Sequence, residues 1–121
     1  MGGARAVSVT IYHNPRCSKS RATLQLLEAR GLEPNVVEYL KTPPSASELK
    51  SILKKLGMKP GDLLRKGEPL YAERGLKDRQ LSDDQLIALM AENPVLIERP
   101  IVVANGKAAI GRPPEKVLEI L

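Results

Sequence analysis

The stretch that decides the fold is VSVTIYHNPRCSKSRATLQLLEARG, residues 7–31. Its opening part, Val7–Tyr12, is rich in β-branched and aromatic residues and predicts a strand. A polar loop follows, and from Ser18 three leucines at residues 24–27 predict a helix that Ser18 caps and Gly31 ends. With a second predicted strand at Val36–Leu40, the chain begins as a strand, helix, strand unit, whose strands are usually parallel.

Helical patterns dominate the middle of the chain. Two capping boxes, Ser45 with Glu48 and Ser82 with Gln85, each precede an apolar stripe and predict a helix. Gly57 ends the first of these helices. Between them we predict a short helical piece from Pro60 to Arg65 and a polar connection over residues 67–80.

The last part of the chain predicts a hairpin and a closing helix. Asn105-Gly106 stands between two apolar runs, which is the strongest short-range hairpin signal. Arg112-Pro113-Pro114 then opens a helix with Val117, Ile120 and Leu121 on one face. The element order is βαβ, a helical insert at about 45–92, then ββα, which predicts an α/β fold. We expect residues 1–6 to be poorly ordered or disordered and residues 7–121 to form a single domain.

Composition excludes several classes of protein. The 121 residues include one cysteine and one histidine, so neither an intramolecular disulfide nor a Cys/His metal site is expected, and a reducing cytoplasm fits best. No apolar run approaches the ~20 residues of a membrane span, and no signal peptide is apparent. The net charge of +5 comes from basic residues scattered among acids, with three tyrosines as the only aromatics. We therefore expect attraction for small anions and no binding of nucleic acid or membranes.

Cys17 has the position of a reactive thiol. It lies between a predicted strand and a predicted helix, where unpaired N–H groups and the positive end of the helix dipole favour a thiolate and an oxyanion. A small buried hydrophobe is the commoner fate of a free cysteine. The polar residues on both sides of Cys17 argue against that alternative.

Several neighbours could support the thiol. Cys17-Ser18-Lys19-Ser20 has the outline of a redox C-x-x-C motif in which serine replaces the second cysteine. Ser20 can donate a hydrogen bond to a thiolate but cannot resolve a mixed disulfide, so a second thiol must come from outside. A protonated His13 would lower the thiol pKa. Asn14 could orient the loop, and Arg21 lies one helical turn beyond Cys17, although each could equally be an ordinary polar residue.

Three further arginines offer planar forks for an oxyanion: Arg65, Arg99 and Arg112. Singly, each is more often a surface charge. Arg99 is the most suggestive, because a cis bond to Pro100 could bring its side chain beside a thiol. A Cys-dependent phosphatase is excluded, because its C-x5-R spacing would require arginine where Thr23 stands.

The motifs together resemble a known family. Ile11-Tyr12-His13-Asn14-Pro15-Arg16-Cys17 resembles the active-site segment of the glutaredoxin-linked arsenate reductases, the ArsC family of thioredoxin-like proteins. Leu63-Leu64-Arg65-Lys66, Ile97-Glu98-Arg99-Pro100-Ile101 and Gly111-Arg112-Pro113 match further motifs of that family, in order and with similar spacing. The resemblance implies a thioredoxin-like fold with a four-stranded mixed sheet flanked by helices.

The resemblance also implies roles for these residues. Cys17 would be the nucleophile that bonds arsenic, and Arg65, Arg99 and Arg112 would hold the oxyanion. His13, Asn14 and Ser20 would surround the nucleophile, with His13 and Ser20 as catalytic residues that support its thiolate. It further implies a cytoplasmic enzyme of arsenic detoxification with no bound cofactor, with arsenate as substrate, glutathione as reductant and glutaredoxin as partner. Better-known members carry a Gly-Thr pair after the cysteine, whereas this chain has Ser18-Lys19, which leaves substrate preference open.

Two alternatives remain. One is a glutathione-dependent thiol oxidoreductase of the same fold with a substrate other than arsenate. The other is a non-enzymatic, Spx-like transcription regulator that binds RNA polymerase and senses redox state through C-x-x-C. Ser20 removes that redox switch, and the three arginines would then have no explanation.

Overall fold

The structure, a computed structural model, describes residues 8–121. The predicted disorder of residues 1–6 lies outside the described residues. The chain divides into two compact units. The sheet unit comprises residues 8–38 and 99–121 of the described chain, and the helical unit comprises residues 39–98. The predicted insert, at about 45–92, lies inside the helical unit, and the prediction of a single domain stays a prediction.

The sheet unit contains a four-stranded mixed sheet, in the order β2 (Asn35–Glu38), β1 (Val9–His13), β3 (Ile101–Ala104) and β4 (Lys107–Ile110). β1 pairs parallel with β2 and antiparallel with β3, which forms a hairpin with β4. This confirms the α/β, thioredoxin-like arrangement predicted from the sequence. The elements of the unit are β1 (Val9–His13), α1 (Ser18–Ala29), β2 (Asn35–Glu38), β3 (Ile101–Ala104), β4 (Lys107–Ile110) and a closing 3₁₀ helix (Pro114–Ile120).

Alternation of side chains on β1 builds the core of the sheet unit. Val9 and Ile11 point to one face of the sheet, where they pack with buried residues of α1, β3 and the closing 3₁₀ helix. The closing helix also contacts both α1 and β3. Leu27 of α1 is fully buried in this cluster, while Leu24 and Leu26 are partly buried against it. The apolar stripe predicted for α1 therefore holds the helix that follows Cys17 against the sheet.

The helical unit is built on the two capped helices. Ser45 and Ser82 each accept the predicted hydrogen bond from the backbone N–H three residues on, and both capping boxes are complete. Gly57 adopts the left-handed conformation (φ 68°) that ends α2, as predicted. The elements are α2 (Ala46–Leu56), α3 (Pro60–Leu63), α4 (Pro69–Glu73), α5 (Asp83–Glu92) and 3₁₀ turns at Leu76–Asp78 and Pro94–Leu96. Within residues 8–121, no helix has the length and apolar character needed to cross a membrane.

Three predictions about these elements were wrong. β2 ends at Glu38, and Leu40 lies in a turn instead of a strand. The connection over residues 67–80 contains α4, which starts at a proline, and a 3₁₀ turn behind Gly75 (φ 58°). The closing helix is 3₁₀, so Val117 and Ile120 lie one above the other and are buried, while Leu121 is 39% exposed.

Gly111 allows a close approach between β4 and α1. A Cβ atom added at this buried residue would lie 2.9 Å from Pro100 Cγ and 3.1 Å from Thr23 Cγ2, and nearer still to Thr23 Oγ1. The Gly111 N–H also donates to the Pro100 carbonyl at 3.0 Å. Because Pro100 follows Arg99 and Gly111 precedes Arg112, this contact sets where both arginines leave the sheet.

Gly111→Ala should therefore destabilise the protein. We expect the free energy of unfolding to fall by about 1–3 kcal/mol, the usual cost of overpacking a well-packed site. Denaturant unfolding measures the change. Gly67→Ala is the matched control, because an added Cβ there meets nothing within 4 Å. Equal stabilities for the two variants would contradict the close approach.

Candidate active site

Asn14 organises the loop between β1 and α1. Its side-chain Oδ1 accepts a hydrogen bond from the Arg16 N–H at 3.0 Å, and its carbonyl accepts one from the Cys17 N–H at 3.0 Å. This is the local turn that asparagine forms with its own backbone. Asn14 is buried, so these contacts fix the backbone on which Cys17 stands.

Cys17 itself is the residue that begins the helix. Its backbone is extended (φ −92°, ψ 122°), and its carbonyl accepts the first helical hydrogen bond, from the Arg21 N–H at 2.9 Å. The prediction that Ser18 caps α1 was therefore wrong, since Ser18 is the first helical residue and is exposed. A thiol now stands where a helix usually carries a capping oxygen.

The helix start lowers the pKa of the Cys17 thiol. No conventional side-chain hydrogen bond caps α1, and burial by itself raises the pKa. The backbone N–H groups of Ser20 and Lys19 and the guanidinium of Arg99 outweigh burial, so the net pKa is lower than that of an ordinary cysteine. At a given pH, Cys17 therefore has a larger thiolate fraction than an ordinary cysteine.

Two arginines reach the sulfur from distant parts of the chain. Arg112 Nη2 lies 3.8 Å from Cys17 Sγ, and its Nε donates to the Arg99 carbonyl at 2.8 Å. Arg99 also donates a side-chain hydrogen bond to the sulfur. The peptide bonds from Arg99 to Pro100 and from Arg112 to Pro113 are both cis. The structure thus brings Cys17, Arg99 and Arg112 together.

Ser20 contacts the loop with its hydroxyl and the sulfur with its backbone. The fully buried Ser20 Oγ lies 2.6 Å from His13 Nδ1 and accepts a hydrogen bond from the Asn14 N–H at 3.0 Å. The hydroxyl proton is available to His13 Nδ1 when the imidazole carries its own proton on Nε2. The sequence predicted a hydroxyl donor to the thiolate, whereas the contact from Ser20 that lowers the pKa of Cys17 is its backbone N–H.

His13 acts as a neutral hydrogen-bonding group. Burial lowers its pKa, the carboxylate of Glu38 opposes that shift, and the guanidinium of Arg21 adds to it, with a net lowering. Glu38 acts on His13 because the parallel register of β1 and β2 pairs these two residues. The protonated imidazole that could have lowered the pKa of the Cys17 thiol is therefore disfavoured. The histidine holds Ser20, which in turn holds the loop.

The remaining basic residues near Cys17 differ in their contacts. Arg21 Nη1 donates to the Pro15 carbonyl at 2.9 Å and so ties α1 back onto the loop. Arg16 and Lys19 are exposed, and neither forms an ion pair with any residue in the described range. Lys19 acts on the sulfur through its backbone N–H, whereas its side chain is exposed.

Arg65 lies in the helical unit, just past the end of α3. The short helix ends two residues earlier than predicted, and Leu64 forms an isolated antiparallel bridge with Ile97. Arg65 Nη1 pairs with Glu98 Oε1 at 2.6 Å, and its Nε pairs with Glu68 Oε2 at 3.4 Å. Two carboxylates therefore offset the charge of this arginine, and the oxyanion role that the resemblance implies for it stays a prediction.

Sequence reasoning missed four residues that support the predicted ones. The ion pair of Glu68 with Arg65 could have been predicted, because a glutamate three residues after an arginine is within reach of it. The sequence has no such signal for Glu98, since its pairing with Arg65 spans 33 residues of sequence. Thr23 is fully buried and donates to the Lys19 carbonyl at 2.8 Å, and Gly111 packs against it. The pairing of Glu98 with Arg65 and the packing of Gly111 against Thr23 depend on tertiary structure.

Comparison with known proteins places the chain among closely similar sequences. Residues 12–120 match the ArsC family. An uncharacterised protein of Escherichia coli (strain K12), YfgD, is 60% identical over 114 residues, which cover 93% of this chain and 96% of that protein. An arsenate reductase of Neisseria meningitidis serogroup A is 53% identical, with 93% and 97% covered. The solved structure of an arsenate reductase from Vibrio cholerae matches with a TM-score of 0.93 at 59% identity, covering 97% of this chain and 100% of that one.

The charge around the sulfur predicts how Cys17 titrates. Iodoacetamide alkylates the thiolate form of this chain's single cysteine, so the alkylation rate measured against pH follows the ionisation of Cys17. The midpoint of this pH curve should lie below the pKa of a free thiol. Arg99→Gln removes a hydrogen bond and a positive charge and should move the midpoint to higher pH. Lys107→Gln, an exposed lysine on β4, is the control and should leave it in place.

The same titration predicts a pH dependence of stability. The folded protein releases the thiol proton at a lower pH than the unfolded chain does, because the folded pKa is lowered. The free energy of unfolding of the unsubstituted protein, relative to that of Cys17→Ser, should rise with pH between the folded and unfolded pKa values of the thiol. This gain should be lost again as the pH decreases through the folded pKa. A stability difference that does not change with pH would contradict a lowered pKa.

Proposed function

Because the chain belongs to the ArsC family, we propose that it reduces arsenate to arsenite through a covalent bond between arsenic and the Cys17 sulfur. The observation that carries the proposal is the contact of Arg112 Nη2 with Cys17 Sγ at 3.8 Å, beside a thiol whose pKa is lowered. A nucleophile and cationic donors at one point are what attack on an oxyanion requires.

The first step is substitution at arsenic. The Cys17 thiolate attacks arsenic, an S–As bond forms, and one arsenate oxygen leaves as water after taking up protons from solvent. Arg99 and Arg112 offset the negative charge of the oxyanion while the anionic sulfur approaches it. The backbone N–H groups at the start of α1 lower the pKa of the thiol and so favour the deprotonated sulfur that this step needs.

The second step requires an external thiol. Glutathione attacks the Cys17 sulfur, the S–As bond breaks, and its electron pair stays on arsenic, which leaves as As(III) in arsenite. The two sulfur atoms form a mixed disulfide, so two thiols supply the two electrons. Glutaredoxin then reduces this disulfide and restores the Cys17 thiol. The single cysteine of the chain supports this scheme, because it leaves no thiol for an internal disulfide.

This scheme uses glutathione as a co-substrate and involves no bound cofactor. The need for external thiols suits a reducing, cytoplasmic setting. His13, Asn14 and Ser20 act as positioning residues, since their hydrogen bonds hold the loop.

Cys17→Ser tests the nucleophile. Arsenite formation from arsenate, with glutathione and glutaredoxin present, should fall to the uncatalysed background, because a serine hydroxyl neither ionises at neutral pH nor supplies redox electrons. Omitting glutathione from the unsubstituted protein should stop turnover in the same assay. Undiminished turnover in the serine variant would contradict the proposal. Reduction of glutathione mixed disulfides without any reduction of arsenate would favour the thiol oxidoreductase alternative.

Arginine variants test oxyanion binding. Arg112→Gln should lower kcat/KM for arsenate about 10²- to 10³-fold, the usual effect of removing one donor to a developing oxyanion. Arg79→Gln, at an exposed arginine of the helical unit, is the matched control and should leave kcat/KM unchanged. Arg65→Gln separates two roles for that residue. A similar loss would support its predicted oxyanion role, whereas lower stability with unchanged kinetics would assign it to its ion pairs alone.

A further inference from the structure

Two exposed basic residues that the proposed reaction does not use flank Cys17 in the sequence. Arg16 precedes Cys17 directly and Lys19 follows it by two residues, at the first turn of α1. Neither forms an ion pair with a residue between 8 and 121. No aspartate or glutamate occurs from residue 14 to residue 27. The surface formed by Arg16 and Lys19, here called the basic rim, is therefore not neutralised locally.

The basic rim is separate from the arginines that contact the sulfur. Arg99 and Arg112 act on Cys17 directly, and Arg21 is tied to the Pro15 carbonyl. Once the S–As bond has formed, the sulfur no longer carries its own charge, and Arg99 and Arg112 can offset the two negative charges of the arsenic adduct, which leaves the charge of the rim for a second anion. A surface of one sign attracts a ligand of the opposite sign and raises its rate of association.

The reaction supplies a second anion that must approach the same atom. An external thiol has to bring its own sulfur to Cys17, and glutathione carries carboxylates at both ends of its backbone. We infer that Arg16 and Lys19 bind a carboxylate of the reducing thiol and so select anionic thiols over neutral or cationic ones. This inference rests on the proposed function, in which an external thiol regenerates Cys17.

Thiol–disulfide exchange tests the rim without arsenate. The Cys17 thiolate attacks one sulfur of a small disulfide, a mixed disulfide forms, and the other half leaves as a thiolate. The second-order rate is measured by mass spectrometry with three probes: glutathione disulfide, which is anionic, bis(2-hydroxyethyl) disulfide, which is neutral, and cystamine, which is cationic. The ratio of the anionic to the neutral rate cancels any change in the pKa of Cys17.

The variant that removes the rim is Arg16→Gln with Lys19→Gln. We expect the ratio of the anionic to the neutral rate to fall about 3- to 10-fold, at the lower end of known electrostatic steering effects. The rate with cystamine should stay equal or rise. At an ionic strength of 0.1 M the Debye length is about 10 Å, and it becomes shorter as salt is added. Raising the ionic strength well above this value should therefore reduce the ratio of the anionic to the neutral rate in the unsubstituted protein toward that of the variant.

Two control variants accompany the double variant. Lys19→Arg keeps the charge and should retain most of the selectivity. Lys107→Gln removes an exposed lysine of β4 in the same unit and should leave the ratio unchanged. In the arsenate assay, the double variant should raise KM for glutathione by a similar factor and leave KM for arsenate within about 2-fold.

Three outcomes would overturn the inference. Equal losses with the anionic and neutral probes would mean that the rim acts only through the thiol pKa. Unchanged rates with every small disulfide, together with slower reduction of the mixed disulfide by glutaredoxin, would assign the rim to an acidic protein. A higher KM for arsenate alone would assign it to the oxyanion. If the unsubstituted protein reduces no arsenate, the proposed function fails, while the disulfide ratios still decide this inference.

Discussion

The sulfur of Cys17 meets the start of α1, and the candidate active site is built around this contact. The backbone N–H groups of Lys19 and Ser20 have no helical partner, because the first turn of a helix leaves such donors unpaired. They favour a negative charge on the sulfur that stands at the cap position, against the cost of burying it. The anchoring of α1 through Leu27 and the turn at Asn14 both serve to keep this geometry.

Buried polar groups hold the thiol in place without competing for its charge. The hydroxyl of Ser20 is occupied by His13 and by the Asn14 N–H, so the loop is tied to the end of β1. A protonated His13 would have attracted the thiolate directly, but burial and the nearby Arg21 favour the neutral ring. Positive charge at the sulfur comes instead from the guanidinium groups of Arg99 and Arg112.

The basic residues differ in what balances them. Arg65 is matched within its unit by Glu68 and Glu98, so most of its charge is already compensated. Arg99 and Arg112 lie at a sulfur that is itself anionic when deprotonated. Charge that remains on exposed residues such as Lys19 is screened by salt and acts mainly on association rates. The net charge of +5 is therefore the sum of several different local charge environments and does not by itself define one binding surface.

Local sequence was enough to predict the strand, loop and helix around Cys17, both capping boxes and the Asn105-Gly106 hairpin, because each signal lies within one short stretch of the chain. The single cysteine alone determined that any reducing thiol must be external. Only the tertiary structure decided that Arg112 lies at a sulfur 95 residues away, that Glu98 pairs with Arg65, and that the Ser20 hydroxyl turns to His13. The Arg112 contact depends on strand order, register and the packing of Gly111 against Thr23, and the Arg65 ion pair depends on the bridge between Leu64 and Ile97; no short-range pattern encodes either.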